Sequence, residues 1–119
     1  MSNRPDCTYA RHILLSETKK ICKELFGKGP EKVRLRIAGD VVVIELFCFL
    51  RASEIQLIGQ QPQKAGLVKA YRQAVFECMK EEVEQRVENV LGCKIIRHLY
   101  EIDVPANSAI NVLILDEPF

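Results

Sequence analysis

The sequence predicts a two-layer α+β domain: a four-stranded antiparallel sheet of two β-hairpins packed with helices, in the order α-β-β-α-α-β-β. Three observations carry this. Apolar residues recur at three- and four-residue intervals before residue 26 and again over 64–91, the spacing of one buried helical stripe. Period-two alternation over 32–50 and 94–115 marks strands. Each strand pair is split by turn chemistry, Ala38-Gly39-Asp40 in the first and Pro105-Ala106-Asn107-Ser108 in the second.

The elements follow in order. Asp6 is placed to cap a first helix whose stripe is Ala10, Leu14, Thr18, Ile21, Cys22 and Leu25. Gly27, Gly29 and Pro30 stop it, because glycine takes the left-handed conformation past a helix end and proline cannot continue the helix. Val33, Leu35 and Ile37 then alternate with Lys32, Arg34 and Arg36 in a half-buried strand. The return strand puts Val42, Ile44, Leu46, Cys48 and Leu50 on one face, and Val41, Val43, Phe47 and Phe49 on the other beside one charge, Glu45. Ser53 is placed to cap a short helix that carries Ile55, Leu57 and Ile58, before a loop at Gly59 and Pro62. The long helix has the stripe Val68, Tyr71, Val75, Met79, Val83, Val87 and Val90, an exposed row of Glu77, Glu81, Glu84 and Glu88, and a glycine stop at Gly92. In the last hairpin Ile96, His98, Tyr100 and Ile102 oppose Ile95, Arg97, Leu99 and Glu101, and Ile110, Val112 and Ile114 oppose Leu113 and Leu115.

A chain of 119 residues reads as one domain, 1–119, with 1–5 and 117–119 frayed. Seventeen basic and sixteen acidic residues give a net charge of +1, which does not point to nucleic acid as a partner. The five cysteines lack metal-ligand spacing, so free thiols in a reducing, cytoplasmic setting are expected, with no metal and no cofactor. The longest apolar run, Val41 to Leu50, is about half the ~20 residues of a spanning helix, so the chain is not expected to be membrane-embedded.

One helical layer covers one sheet face. The second and fourth strands are apolar on both. The expectation is a homodimer, or a partner interface, through Val41, Val43, Phe47, Phe49, Leu113 and Leu115. No catalytic constellation stands out. Gly27-x-Gly29-Pro30 ends a helix where a phosphate cradle would begin one, so Lys28 marks punctuation more than an anion site. Arg34 and Arg36 read as a solvated edge that blunts aggregation. His98 reads as a packed strand histidine. The alternative is a small-ligand sensor or minor enzyme in which Lys28, Arg34, Arg36, His98 and Glu101 contact a ligand or anion.

The stretch LFGKGPEKVRLRIAGDVVVIEL, then Leu50 and Glu54, Leu67-Val68 and Arg72, Leu91-Gly92 with Lys94, and NVLILD, resembles the MpsC-like family of short bacterial proteins. The resemblance covers about residues 20–116, and the Gly-x-Gly-Pro motif and the Leu67-to-Gly92 spacing are its most specific parts. The last hairpin departs from it: Leu99 stands at the family's histidine, Glu101 at its aspartate, and the Ser/Thr-Lys-Thr-Gly turn is missing. The family is named for a Na+-translocating, membrane-potential-generating system. The resemblance implies a soluble accessory connected with membrane-potential physiology; together with the two-faced strands and the absence of convergent polar groups, it makes the expectation a non-catalytic dimeric module that binds a membrane-associated protein partner.

Overall fold

The computed structural model describes residues 7–119; the expected Asp6 cap and the frayed 1–5 lie outside the described residues. Helix α1 spans Cys7–Phe26, followed by β1 (Lys32–Ala38), β2 (Val41–Phe47) and α2 (Ala52–Gln60). A 3-10 turn at Pro62–Lys64 leads into α3 (Ala65–Leu91), and β3 (Ile95–Asp103) and β4 (Ser108–Leu115) complete the chain. This is the predicted order. The four strands form one antiparallel sheet, β1-β2-β4-β3. The strands that are apolar on both faces take the two central positions, and the charged ones form the edges, where charge discourages further pairing.

The core lies between the sheet and the helices. Leu14 of α1 and Val68, Val87 and Leu91 of α3 pack with Leu35, Val42, Ile44, Leu46, Leu113 and Leu115 of the sheet. Thr18 fits the buried stripe of α1 because its Oγ1 donates to the Leu14 carbonyl at 2.7 Å. The molecule measures 55 × 23 × 22 Å.

The two glycines after α1 have different duties. Gly27 takes φ +79° while its N–H closes the helix onto the Lys23 carbonyl. A Cβ on Gly29 would sit 3.1 Å from the Lys19 carbonyl oxygen, so this residue lets the chain fold back against the helix it has just left. Pro30 then turns inward and is buried.

Alternation along β2 ends sooner than the sequence suggests. Cys48 adopts φ +57°, which breaks the alternation, so that Phe49 and Leu50 are both buried. Cys48, expected inside, is therefore exposed, and Phe49, expected on the second face, is only 4% exposed in the core. The conformation is held from the far hairpin. Cys48 N–H donates to the Asn107 carbonyl at 2.9 Å. The Asn107 Oδ1 accepts both Phe49 N–H and Leu50 N–H at 3.0 Å.

Other expectations are corrected too. Leu113 and Leu115, placed on the uncovered face, belong to the helix-covered one, at 2% and 1% exposure; the partition of β4 into two faces was right, and its sidedness was reversed. A bulge between Ile95 and Arg97 shifts the start of β3, so Ile95 joins His98 inside and Ile96 is exposed. On α3 the stripe drifts by one residue: Tyr71 is 60% exposed, and Arg72 is buried in its place. Arg51, not Ser53, precedes α2, and its N–H is received by Glu54 at 2.8 Å. The tail is fixed by Phe119 N–H, which donates to the Gly39 carbonyl at 2.8 Å.

Candidate functional site

The helices leave one sheet face open, and the strand registers fix what it carries. Four cross-strand rows run from β1 to β3. The first is Lys32, Phe47, Ser108 and Asp103; the second is Arg34, Glu45, Ile110 and Glu101. The third is Arg36, Val43, Val112 and Leu99, and the fourth is Ala38, Val41, Ile114 and Arg97. The centre is apolar, with Ile110 and Leu99 38% and 52% exposed. Its single charge is neutralised within the chain: Glu45 lies 3.8 Å from Arg34 and 3.9 Å from Arg36. Lys32 and Arg34 cover the Phe47 ring at 5.9 and 5.6 Å from its centroid. Of the six residues expected on this face, Val41, Val43 and Phe47 are there; Phe49, Leu113 and Leu115 are in the core.

The residues of the alternative ligand site do not converge. Arg34 and Arg36 lie on one edge strand, His98 and Glu101 on the opposite edge. His98 points to the covered face, whereas Glu101 shares the open face and its carboxylate reaches Lys69 at 2.6 Å. That hydrogen bond and the ammonium charge hold the Glu101 carboxyl below its ordinary range. Lys28 Nζ donates to the Leu50 carbonyl at 3.1 Å, a tie across the chain rather than a free cation.

Two buried polar groups occupy the covered side. His98 Nδ1 lies 2.9 Å from Glu84 Oε2, and its Nε2 lies 2.7 Å from Asn111 Oδ1. Phe76 meets its ring edge-on and stacks on Tyr100. These groups wall one end of a largely apolar cavity of about 70 Å³ between α1, α3 and the sheet. Burial there pushes the Cys22 thiol up to about 11 and the Tyr100 hydroxyl up to about 12, so both stay protonated at neutral pH. The row of glutamates expected in solvent is therefore divided. Glu77 and Glu81 are exposed, whereas Glu84 binds His98 and Glu88 receives Ile95 N–H at 2.8 Å.

The second group is Arg72 with Glu54. Arg72 Nε and Nη2 donate to the two Glu54 oxygens at 2.8 and 2.6 Å. The guanidinium also lies over Phe26 and Phe49, 4.4 and 5.1 Å from the ring centroids. Burial raises the Glu54 carboxyl, but the Arg72 hydrogen bond, the Arg51 N–H and the two guanidinium charges outweigh it and hold it below its ordinary value. The pair joins the end of α1, the exit of β2, α2 and α3. Sequence periodicity passed over it, although both residues stand in the motif that carries the family resemblance.

The chain is 30% identical over 99 residues, 82% of its length and 80% of the relative's, to a Bacillus subtilis (strain 168) protein described as uncharacterized protein YrhF. No solved structure matches it significantly. Among the described residues no helix is long and apolar enough to cross a membrane. A family model described as Na+-translocating membrane potential-generating system (MpsC) matches residues 10–117, nearly the whole described fold, and the chain belongs to the MpsC family.

Proposed function

We propose that this chain is a non-catalytic accessory module of a Na+-translocating membrane-potential-generating system. It works in the cytoplasm as a symmetric homodimer joined through the open sheet face. The observation that carries the reading is that face: an apolar centre of Val41, Val43, Val112, Ile114 and Ile110, with charge confined to its margins and to the neutralised Glu45. Four strands about 4.8 Å apart and about 23 Å long outline about 450 Å² per subunit. A dimer burying about 900 Å² lies at the small end of specific interfaces and dissociates in the micromolar range.

A second surface suits a membrane-associated protein partner. Leu67 and Tyr71, one turn apart on α3, are 61% and 60% exposed. Both stand on the helical layer, away from the proposed dimer face, so the module has one surface for itself and one for another protein.

Val112→Lys places an ammonium at the centre of the open face and is expected to weaken the dimer at least tenfold while the fold is kept. Sedimentation equilibrium at 1–100 µM with far-UV circular dichroism reads both. Tyr71→Glu is expected to leave the dimer intact and to fail, like Val112→Lys, to restore Na+-dependent membrane potential to host cells lacking the gene. A wild-type chain that is monomeric at 100 µM, or full restoration by both variants, overturns the reading.

A further inference from the structure

The charges on the open face select how two copies meet. Resting on the dimer reading, we infer that the two-fold axis runs parallel to the strands, between β2 and β4, so that β1 of each copy lies across β3 of the other. Face-to-face sheets pack with their strands within about 30° of each other, which leaves two kinds of in-plane two-fold axis. An axis across the strands stacks β1 on β1. Lys32, Arg34 and Arg36 of one copy then face the same three cations of the other, and like charges so placed oppose association.

The axis along the strands keeps every cross-strand row level with itself and exchanges its ends. Lys32 then meets Asp103 of the second copy, and Arg34 meets Glu101, whose exposed carboxylate turns from Lys69 toward the interface. The apolar middle is matched at the same time, because Val43 lies over Val112 and Val41 over Ile114 in each half. Arg34 is thereby shared between its own Glu45 and the Glu101 opposite. A C2 interface repeats each contact twice, so the two charge pairs count as four. The product is a four-layer slab, helices outermost, with two apolar sheet faces closed on each other.

Two measurements test this on the full chain. The first is zero-length carbodiimide coupling followed by mass spectrometry. Within one chain Lys32 and Asp103 end the same row on opposite edges, about 14 Å apart across three strand spacings, beyond an amide bond between their side chains. A Lys32–Asp103 cross-link found only in the dimer band is the expected result. The second is a charge-reversal cycle read by sedimentation. Arg34→Glu and Glu101→Arg each weaken the dimer about tenfold, and the double variant returns to within about threefold of wild type.

Losses that simply add in the double variant, with no Lys32–Asp103 cross-link, overturn this axis while leaving a dimer that Val112→Lys still breaks. A wild-type monomer overturns both readings.

Discussion

Arg72→Met is expected to cost about 3–5 kcal/mol of folding stability, the range for removing one partner of a buried ion pair. Methionine keeps most of the stem between Phe26 and Phe49, so the loss is chiefly electrostatic. Glu54 is left desolvated, retaining only the Arg51 N–H among its present hydrogen bonds. Urea unfolding followed by circular dichroism measures the change. A double variant, Arg72→Met with Glu54→Leu, should recover much of it, because no uncompensated charge remains. A loss under 1 kcal/mol for Arg72→Met would show that the pair is not the joint described here.

The same pair gives stability a pH dependence of known sign. The Glu54 carboxyl is held below its unfolded value, so the folded state binds this proton less readily than the unfolded chain does. Its contribution is complete above the unfolded value of about 4.3 and fades as the pH drops through the lower folded value. The difference between wild type and Arg72→Met should therefore be largest near neutrality and shrink below about pH 4.

Asn107→Ala is expected to cost about 3–4 kcal/mol, from two sources. Its Oδ1 receives Phe49 N–H and Leu50 N–H, and each donor left unpaired costs about 1–3 kcal/mol. Asn107 also sits at φ +52°, which alanine tolerates less well by about 1 kcal/mol. Two further variants separate the causes. Asn107→Asp retains an acceptor and should lose least, whereas Asn107→Gly retains only the conformation and should fall between. Hydrogen exchange at Phe49 and Leu50 should accelerate in alanine and glycine alike. Unchanged exchange would mean that the Asn107 side chain does not hold the exit of β2.

Local pattern revealed what depends on local pattern. The apolar periodicity of α1 and the glycines after it, the alternation of β1 and the hairpin at Gly39 all follow from neighbours in sequence, and the structure has them where expected. The misreadings arise where a distant residue decides. Cys48 turns left-handed because Asn107 grips the backbone beside it, so Phe49 goes inward and cannot serve an interface. Arg72 is buried because Glu54, eighteen residues earlier, neutralises it, and Tyr71 is displaced to the surface. Alternation divided β4 correctly into two faces, yet nothing in that strand says which one the helices will take. The open face itself was half legible. Val41, Val43 and Phe47 lie on it, while its grid of rows needed the β2–β4 register, which no local signal encodes.

The outline described above also bears on how size should be measured. A particle more than twice as long as it is wide drags more than a sphere of equal mass, so a single subunit leaves a gel-filtration column early and mimics a heavier species. Two such rods laid side by side form a squatter body, which elutes closer to the position of a sphere of its own mass. Retention volume thus compresses the gap between one copy and two, and light scattering or sedimentation, which weigh the particle directly, will resolve it.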